Sequence, residues 1–196
     1  MLSINVSQRS GKMSCINSKQ SEKDAIMMAA ALMAASARTA PKAAGIDNVE
    51  SLILDGDDLE RLADAMERKA EEKPSLSEIF IRDAKNLRNS SSVLLIGVAG
   101  NSNVTIDCGA CGYPSCEHFS KVRRKTQDFE GPNCMLKLID LGIALGSAVK
   151  LASELNIDNR IMYTIGAAAK KIGLMDSDVI FGIPLSTTGK SPYFDR

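Results

Sequence analysis

The sequence has no tryptophan and a single histidine, His118, and aromatic residues make up only 4% of the chain. A metal site built from several histidines is therefore excluded, and a histidine-based catalytic triad is disfavoured. With so few aromatic rings, we expect no stacking platform for nucleic-acid bases. The core has to be built from aliphatic residues and from nine methionines.

The chain also lacks net charge, because 24 lysines and arginines balance 24 aspartates and glutamates among its 196 residues. Proteins that bind nucleic acid through general electrostatic attraction are usually basic, so we expect no nucleic-acid partner. Hydrophobic residues make up 44% of the chain, which is typical of a globular protein and not of a disordered one.

No apolar run reaches the roughly 20 residues that a membrane span needs. The apolar stretch at residues 25–37 follows two lysines and ends in A-x-A, as a signal peptide does. Glu22 and Asp24 argue against a signal peptide, and Ser21-x-x-Asp24 has the form of a helix capping box. We therefore expect a buried helix here, no membrane association and a cytoplasmic protein.

Composition divides the chain into a polar amino-terminal tail and one domain. Residues 1–20 are rich in serine, asparagine and glutamine and are expected to form a flexible tail. Residues 21–196 are predicted to form a single domain with a cysteine-rich insert at about 100–134. The predicted order of helices and strands indicates an α/β or α+β fold, with a few-stranded sheet covered by helices.

The helices and strands are predicted from hydrophobic periodicity and from the residues that begin and end them. The predicted strands are 49–55, 93–99 and 178–185, and Pro184 is expected to stop the last one. The predicted helices cover about 22–37, 57–72, 75–89, 134–155 and 161–172. On the fourth helix, Gly142 and Gly146 lie one turn apart, which permits close approach of another helix or of a flat ligand.

The cysteines are the most informative residues, because four of the five lie close together in the sequence. Their spacing is Cys108-x2-Cys111-x4-Cys116-x17-Cys134, and Cys15 stands apart in the tail. An odd number with this clustering fits a metal site in a reducing compartment better than a disulfide framework. Three thiolates from one loop and a distant fourth are a common ligand set for a [4Fe–4S] cluster.

Two other interpretations of the cysteines stay open. A zinc ion on four thiolates would support a structural or assembly subunit, although zinc ribbons usually have two C-x2-C pairs and the second pair is missing. A thiol–disulfide pair at Cys108 and Cys111 would leave Cys116 and Cys134 unexplained. The favoured function is therefore that of an iron–sulfur redox protein that transfers electrons.

The segment CGACGYPSC, followed by a cysteine after a GPN turn, resembles the four-cysteine ferredoxin-type domain of several anaerobic redox proteins. Three further segments, ASARTAPKAAGIDN, IDNRIMYTIGAAAKKIGL and GIPLSTTGKSPYFDR, resemble the uncharacterised family of ferredoxin domain-containing proteins. This resemblance covers about residues 22–196 and implies one [4Fe–4S] cluster. It implies no particular reaction, so the catalytic residues are unknown.

A more distant resemblance is to the nitroreductase-like flavoproteins. The segment DLGIA at 140–144 matches their D-x-G-I-A helix, and IPL at 183–185, followed by Lys190, matches their last strand and basic tail. This resemblance implies a nitroreductase-like fold and a flavin site. The second functional hypothesis is therefore an FMN-dependent oxidoreductase that receives its electrons from the cluster.

The residues implied for the FMN site come from three parts of the chain. Arg38 and Lys42 follow the first helix, and together with Lys190 they would bind the phosphate. Gly142 and Gly146 would leave room for the flavin ring. The usual phosphate motif with several arginines is reduced here to Arg38 and Lys42.

Two partners are also expected. The first helix and the helix with the paired glycines are both too apolar for a monomer, so we expect a homodimer. The basic run KVRRK at 121–125 is either a solvated surface or a docking site for an acidic redox protein. Asp140, on an otherwise apolar helix, is either a ligand contact or a hydrogen-bonded buried acid.

Overall fold

The structure is a computed structural model that describes residues 15–194, and its helices and strands follow the predicted order. The helices are α1 (Ser18–Thr39), α2 (Asp57–Glu72), α3 (Ser77–Arg88), α4 (Cys116–Ser120), α5 (Met135–Glu154) and α6 (Tyr163–Lys171). The strands are β1 (Val49–Asp55), β2 (Ser92–Val98), β3 (Lys125–Thr126), β4 (Glu130–Gly131), β5 (Asp158–Asn159) and β6 (Val179–Ser186). Most of the expected tail, residues 1–14, lies outside the described residues.

A four-stranded sheet in the order β1-β2-β6-β5 forms the centre of the fold. Each pair of neighbouring strands is antiparallel, and β3 and β4 form a separate antiparallel hairpin. Helices cover both faces of the sheet, so every residue of β2 is buried. This is why β2 has a continuous apolar sequence instead of an alternating one.

The two faces of the sheet have separate hydrophobic cores. Leu94 and Ile96 of β2 point into the core formed with α1 and α5. Val93 and Leu95 point the other way, into the core formed with α2, α3 and α6. The predicted mixed fold, a few-stranded sheet covered by helices, is confirmed.

The first helix begins earlier than the sequence predicts. The side chain of Asn17 accepts a hydrogen bond from the backbone N–H of Gln20 at 3.0 Å, and α1 starts at Ser18. Asparagine is a strong N-cap residue, and this cap sets the start of the helix. The predicted capping box at Ser21 is therefore wrong, and residues 18–20 are helical instead of part of a flexible tail.

Strand β6 also continues past Pro184, which was expected to end it. Pro184 lies opposite Val93 of β2, and the strand ends at Ser186. On the other side of β6, Gly182 pairs with Met162, and β5 pairs only with residues 185–186. Proline lacks an N–H donor but is tolerated where no neighbouring strand needs that donor.

Within residues 15–194, no helix has both the length and the apolar character that crossing a bilayer requires.

Helix α6 packs very closely against β6, because each of the two elements has a glycine at the contact, Gly166 on α6 and Gly182 on β6. A Cβ atom on Gly166 would lie 1.7 Å from the carbonyl oxygen of Ile180. A Cβ atom on Gly182 would lie 2.1 Å from a methyl carbon of Ile165. The separation of α6 and β6 is therefore fixed by the absence of side chains at these two positions.

We expect Gly166→Ala to destabilise the protein by about 3 kcal/mol, the upper end of the range for an overpacked core. The added methyl group would collide with backbone atoms of β6, which cannot move without disturbing the sheet. Chemical denaturation measures the change in the free energy of unfolding. Gly189→Ala is the matched control, because nothing lies within 4 Å of its new Cβ atom. Equal stability of the two variants would contradict the close packing of α6.

Candidate metal centre

The cysteine-rich insert leaves and re-enters the fold at one point, between the end of β2 and the start of α5. The backbone N–H of Cys134 donates a hydrogen bond to the carbonyl oxygen of Gly100 at 2.7 Å. A Cβ atom on Gly100 would lie 2.2 Å from the side-chain oxygen of Asn133. The two ends of the insert are therefore tied together directly beside Cys134.

The four clustered cysteines differ in their exposure to solvent. Cys134 is buried at the amino end of α5, whereas Cys111 and Cys116 are half-buried and Cys108 is exposed. All four are free thiols, as is the exposed Cys15. The fourth predicted ligand is thus held in the body of the protein, and the first three lie in a surface loop.

Two glycines turn the loop that carries the first three cysteines. Gly109 and Gly112 have φ values of +68° and +84°, a region that favours glycine. The backbone N–H of Cys116 donates a hydrogen bond to the carboxylate of Asp107 at 2.6 Å. The loop therefore folds back on itself, since this hydrogen bond brings the backbone of Cys116 to the residue that precedes Cys108.

One cavity of about 500 Å³, here called the loop cavity, is lined by a residue of the three-cysteine loop and by the segment before Cys134, but not by the cysteines themselves. Tyr113, between the second and third cysteines, lines it on one side. Pro132 and Asn133, just before Cys134, line the other side. Tyr113 also packs edge-on against Phe119, with the ring centres 5.7 Å apart. The three-cysteine loop and the segment that leads to the fourth cysteine therefore share one cavity.

The thiols do not converge on one point. Within residues 15–194, no three His, Cys, Asp or Glu side chains lie close enough together to share a metal ion. Four thiolates nevertheless form the donor set that iron–sulfur clusters use, so their chemistry fits such a cluster. His118 takes no part in this set, because its ring forms a 2.8 Å hydrogen bond with Ser115, the N-cap of α4.

A buried carboxylate anchors the hairpin that connects the loop to Cys134. Asp128, between β3 and β4, accepts a hydrogen bond from the ammonium group of Lys69 at 2.5 Å. It also accepts hydrogen bonds from Lys73 and from the hydroxyl of Tyr163. Burial alone would raise the pKa of Asp128, but these three donors outweigh burial and lower its pKa from 3.8 to about 2.

This network holds the hairpin on α2 and α6. Phe129, the next residue, packs edge-on against Tyr163 with ring centres 5.3 Å apart, and its ring centre lies 5.9 Å from that of Phe181. Burial, followed by the hydrogen bond to Asp128, raises the pKa of the Tyr163 hydroxyl, so the hydroxyl stays a donor. The side of the site that carries Cys134 is therefore rigidly supported.

The basic run at 121–125 separates into paired and unpaired residues. Lys121 pairs with Glu117 at 2.5 Å, and Arg124 pairs with the buried Asp178 at 3.0 Å. Arg123 and Lys125 are exposed, and no acidic side chain of the described residues pairs with either of them. Lys121 and Arg124 of this run therefore stabilise the fold through ion pairs, whereas Arg123 and Lys125 are exposed to solvent.

The residues predicted to bind a flavin phosphate are not brought together within one chain. Arg38 pairs with Asp47 at 2.6 Å, and the ammonium group of Lys42 lies 3.0 Å from the carbonyl oxygen of Ala37 at the end of α1. The segment before Lys190 lines a different cavity, together with the first turns of α1. The 22 residues of α1 span about 33 Å and separate these two places.

Gly142 and Gly146 both lie on an exposed face of α5, and a Cβ atom on either would meet nothing within 4 Å. Gly142 also lines an apolar cavity of about 430 Å³, together with Phe129, Phe181 and Asn133. Asn133 is the neighbour of Cys134, so this apolar cavity adjoins the candidate metal centre. Gly146 is not among the residues that line it.

Asp140 is a hydrogen-bonded buried acid, one of the two roles considered from the sequence. It lies 3.3 Å from the ammonium group of Lys137 and accepts a 2.8 Å hydrogen bond from the backbone N–H of Ala43. Lys137 is fully buried and donates to the carbonyl oxygen of Ile46 at 2.6 Å. This pair fixes the loop after α1 onto α5.

Exposed apolar side chains remain on α1 and α5. Met28 is 66% exposed, and Leu32 lies one turn further along α1 and is also exposed. Ile139 and Ile143 lie on the exposed side of α5. The expected full burial of α1 is therefore wrong for a single chain, because only one side of the helix packs against α5 and the sheet.

Comparison with known proteins relates nearly the whole chain to others. A family profile described as "Uncharacterized protein containing a ferredoxin domain" matches residues 130–196, which include Cys134. A curated relative from Archaeoglobus fulgidus, named "Uncharacterized protein", is 51% identical over 181 residues. That match covers 92% of this chain and 97% of the relative.

Two solved structures share the fold at low sequence identity. An oxidoreductase containing FMN is 13% identical, with a TM-score of 0.52, over 90% of this chain and 70% of that one. A nitroreductase-like family protein from Bacillus cereus is 11% identical, with a TM-score of 0.52, over 93% of this chain and 81% of that one. These similarities confirm the expected nitroreductase-like fold.

The anchoring of Asp128 predicts both a loss of stability and a change in its pH dependence. Asp128→Asn should destabilise the protein by about 3 kcal/mol at neutral pH, because Lys69 would be left buried without a carboxylate. A lowered pKa stabilises the fold above the ordinary pKa, and this contribution disappears as the pH falls from about 4 to about 2. The variant should therefore lose less stability than the wild type across this range.

Denaturation at a series of pH values measures both effects. Asp58→Asn is the control, because the ion pair of Asp58 in the described part of the chain is an exposed one with Arg61, and the change should alter stability by less than about 1 kcal/mol. A similar small change for Asp128→Asn would contradict the anchoring role.

Proposed function

Because the chain belongs to the family described as uncharacterised proteins containing a ferredoxin domain, we propose that it is an iron–sulfur redox protein. It binds one [4Fe–4S] cluster through Cys108, Cys111, Cys116 and Cys134 and transfers electrons. The observation that carries this proposal is the placement of the four thiols. Three lie on a loop turned by glycines, and the fourth lies at the amino end of α5, where the two preceding residues line the same cavity as Tyr113 of that loop.

The electrostatics of the fourth position also support the proposal. Cys134 lies at the amino end of α5, where the helix dipole favours the negative charge of thiolate ligands. Its backbone N–H is already bound to Gly100, so its position does not depend on the cluster. We infer that cluster binding draws the loop toward Cys134, since metal binding commonly completes the folding of its own site.

The flavin-dependent hypothesis is favoured by one separate observation, the apolar cavity beside Gly142. Its lining is mainly apolar, as ligand pockets usually are, and it adjoins the segment that carries Cys134. The fold is shared with an oxidoreductase containing FMN. We propose that the cavity holds the flavin ring, which would supply hydride or electron transfer to a small substrate, while Phe129 and Phe181 exclude water from it.

The surroundings of the site lead to proposals on organisation and assembly. Residues 21–196 form one domain, and the insert at about 100–134 is its cluster-binding part. The exposed apolar faces of α1 and α5 are proposed to pair in a homodimer, which would cover Met28 and Ile143. The protein is proposed to work in the cytoplasm, where reducing conditions keep the thiols available.

The cluster ligands are tested by single cysteine substitutions in anaerobically purified protein. Changing Cys108, Cys111, Cys116 or Cys134 to serine should remove most of the bound iron and sulfide and the broad visible absorption. The reason is that a hard hydroxyl replaces a soft thiolate. Cys15→Ser is the control and should keep full iron and sulfide content. Equal loss in that variant would show that the ligand set is wrong.

Metal analysis of the wild-type protein separates the cluster from the structural alternative. A colourless protein with one zinc ion and no sulfide would contradict both redox hypotheses and favour the zinc-stabilised subunit.

The flavin hypothesis is tested by titration of FMN, with quenching of flavin fluorescence as the measurement. Gly142→Leu should weaken binding by at least about tenfold, because a large side chain would fill the apolar cavity. Gly146→Leu is the control, since Gly146 lies on the same helix but does not line the cavity. Equal weakening by both variants, or no binding to the wild type, would contradict the proposed ring site.

A further inference from the structure

A second cavity is lined by Thr126, Gln127 and Asp128 of the β3–β4 hairpin. It has a volume of about 480 Å³ and is here called the lysine cavity, because Lys69 and Lys73 of α2 and Lys170 and Lys171 of α6 line it. Gln127 lines both this cavity and the loop cavity. The two cavities therefore form one continuous surface across the hairpin.

This surface, here called the basic surface, carries a surplus of positive charge. Its six basic residues are Lys69, Lys73, Arg123, Lys125, Lys170 and Lys171. Its three acidic residues are Glu72, Asp128 and Glu130. The whole chain has no net charge, so a surplus of three positive charges on one surface means that positive charge is concentrated there.

The positive charge is available to a partner at the edge nearest the cysteines. Arg123 and Lys125 are exposed, and no acidic side chain in residues 15–194 pairs with them. Lys171 is 41% exposed, although it pairs with Glu72. Lys69 is buried on Asp128 and serves the hairpin instead. The accessible charges are therefore those of Arg123, Lys125 and Lys171, which together are called the rim of the basic surface.

The basic surface also reaches the candidate metal centre. Tyr113 and Asn133 line the same loop cavity as Arg123 and Lys125. Tyr113 lies between two of the proposed cluster ligands, and Asn133 precedes a third. A partner bound across the rim would thus be in contact with the segments that hold the redox group.

We propose that the basic surface docks an acidic electron-carrier protein, an inference that rests on the proposed redox function. The carrier gives up one electron, the redox group of this chain accepts that electron, and no bond or proton changes. The cations come from α2, the hairpin and α6 and are spread over two cavities. A small anion needs cations that converge on one point, whereas a rim of dispersed charges steers and orients a protein partner.

The test measures binding of an acidic bacterial ferredoxin to the full-length protein by calorimetry. Binding should be clear at about 0.01 M ionic strength and much weaker at about 0.15 M, where exposed charges are screened. Arg123→Glu combined with Lys125→Glu should raise the Kd by at least about tenfold. Neither side chain is in an ion pair, so the double variant should stay folded, as circular dichroism would verify.

The matched control is Lys19→Glu combined with Lys23→Glu. These lysines are also exposed and form no ion pair within residues 15–194, but they lie on the first turns of α1. Equal weakening by this control would show that only the overall charge matters and would overturn the proposed surface. Inorganic pyrophosphate provides a second comparison. Pyrophosphate binding that depends on Arg123 and Lys125, without ferredoxin binding, would replace the protein partner by a small anion.

The visible spectrum of the same protein separates this inference from the function on which it rests. A coloured protein that shows no salt-sensitive binding of ferredoxin would overturn the docking surface and leave the redox function intact. A colourless protein that still binds ferredoxin through Arg123 and Lys125 would keep the surface and contradict the cluster.

Discussion

The arrangement of the candidate site depends on one buried carboxylate. Asp128 is charged, enclosed by protein and bound to two ammonium groups and one hydroxyl. A buried charge is tolerated only when it is paired and hydrogen-bonded, so the hairpin that carries Asp128 cannot move away from α2 and α6 without a large cost. The segment between the hairpin and α5 thus begins at this anchor and ends at Cys134, which is held by its own hydrogen bond to Gly100.

A second buried ion pair has the same effect on the other face of the sheet. Lys137 and Asp140 bind backbone groups of Ala43 and Ile46, and they hold the loop after α1 against α5. The Lys137–Asp140 pair thus lies on α5 itself, and the Asp128 network lies on the hairpin that precedes α5. The helix is fixed on its two sides, while the three-cysteine loop is held mainly by its own turn. Under the proposed function, this contrast between the anchored Cys134 and the looser loop would allow a cluster to enter from the surface.

The long elements could be predicted from the sequence, and the contacts that build the site could not. Strand β1 and helix α2 have the predicted bounds, because burial on a regular element leaves a periodic pattern. Strands β3 and β5 have two residues each, too few for any period. The anchoring role of Asp128 was missed, since a single acid in a loop gives no signal. Lys69 did carry a signal of a buried ion pair, because it is a charged residue on the apolar side of α2, together with Met66.

The closed three-cysteine loop has an evolutionary consequence. Because the carboxylate of Asp107 binds the backbone N–H of Cys116, the two ends of this loop are joined independently of the hairpin that carries Asp128. The loop can therefore change in length or lose its cysteines while the hairpin stays on α2 and α6. A descendant without these thiols would keep the same sheet and the same anchored hairpin.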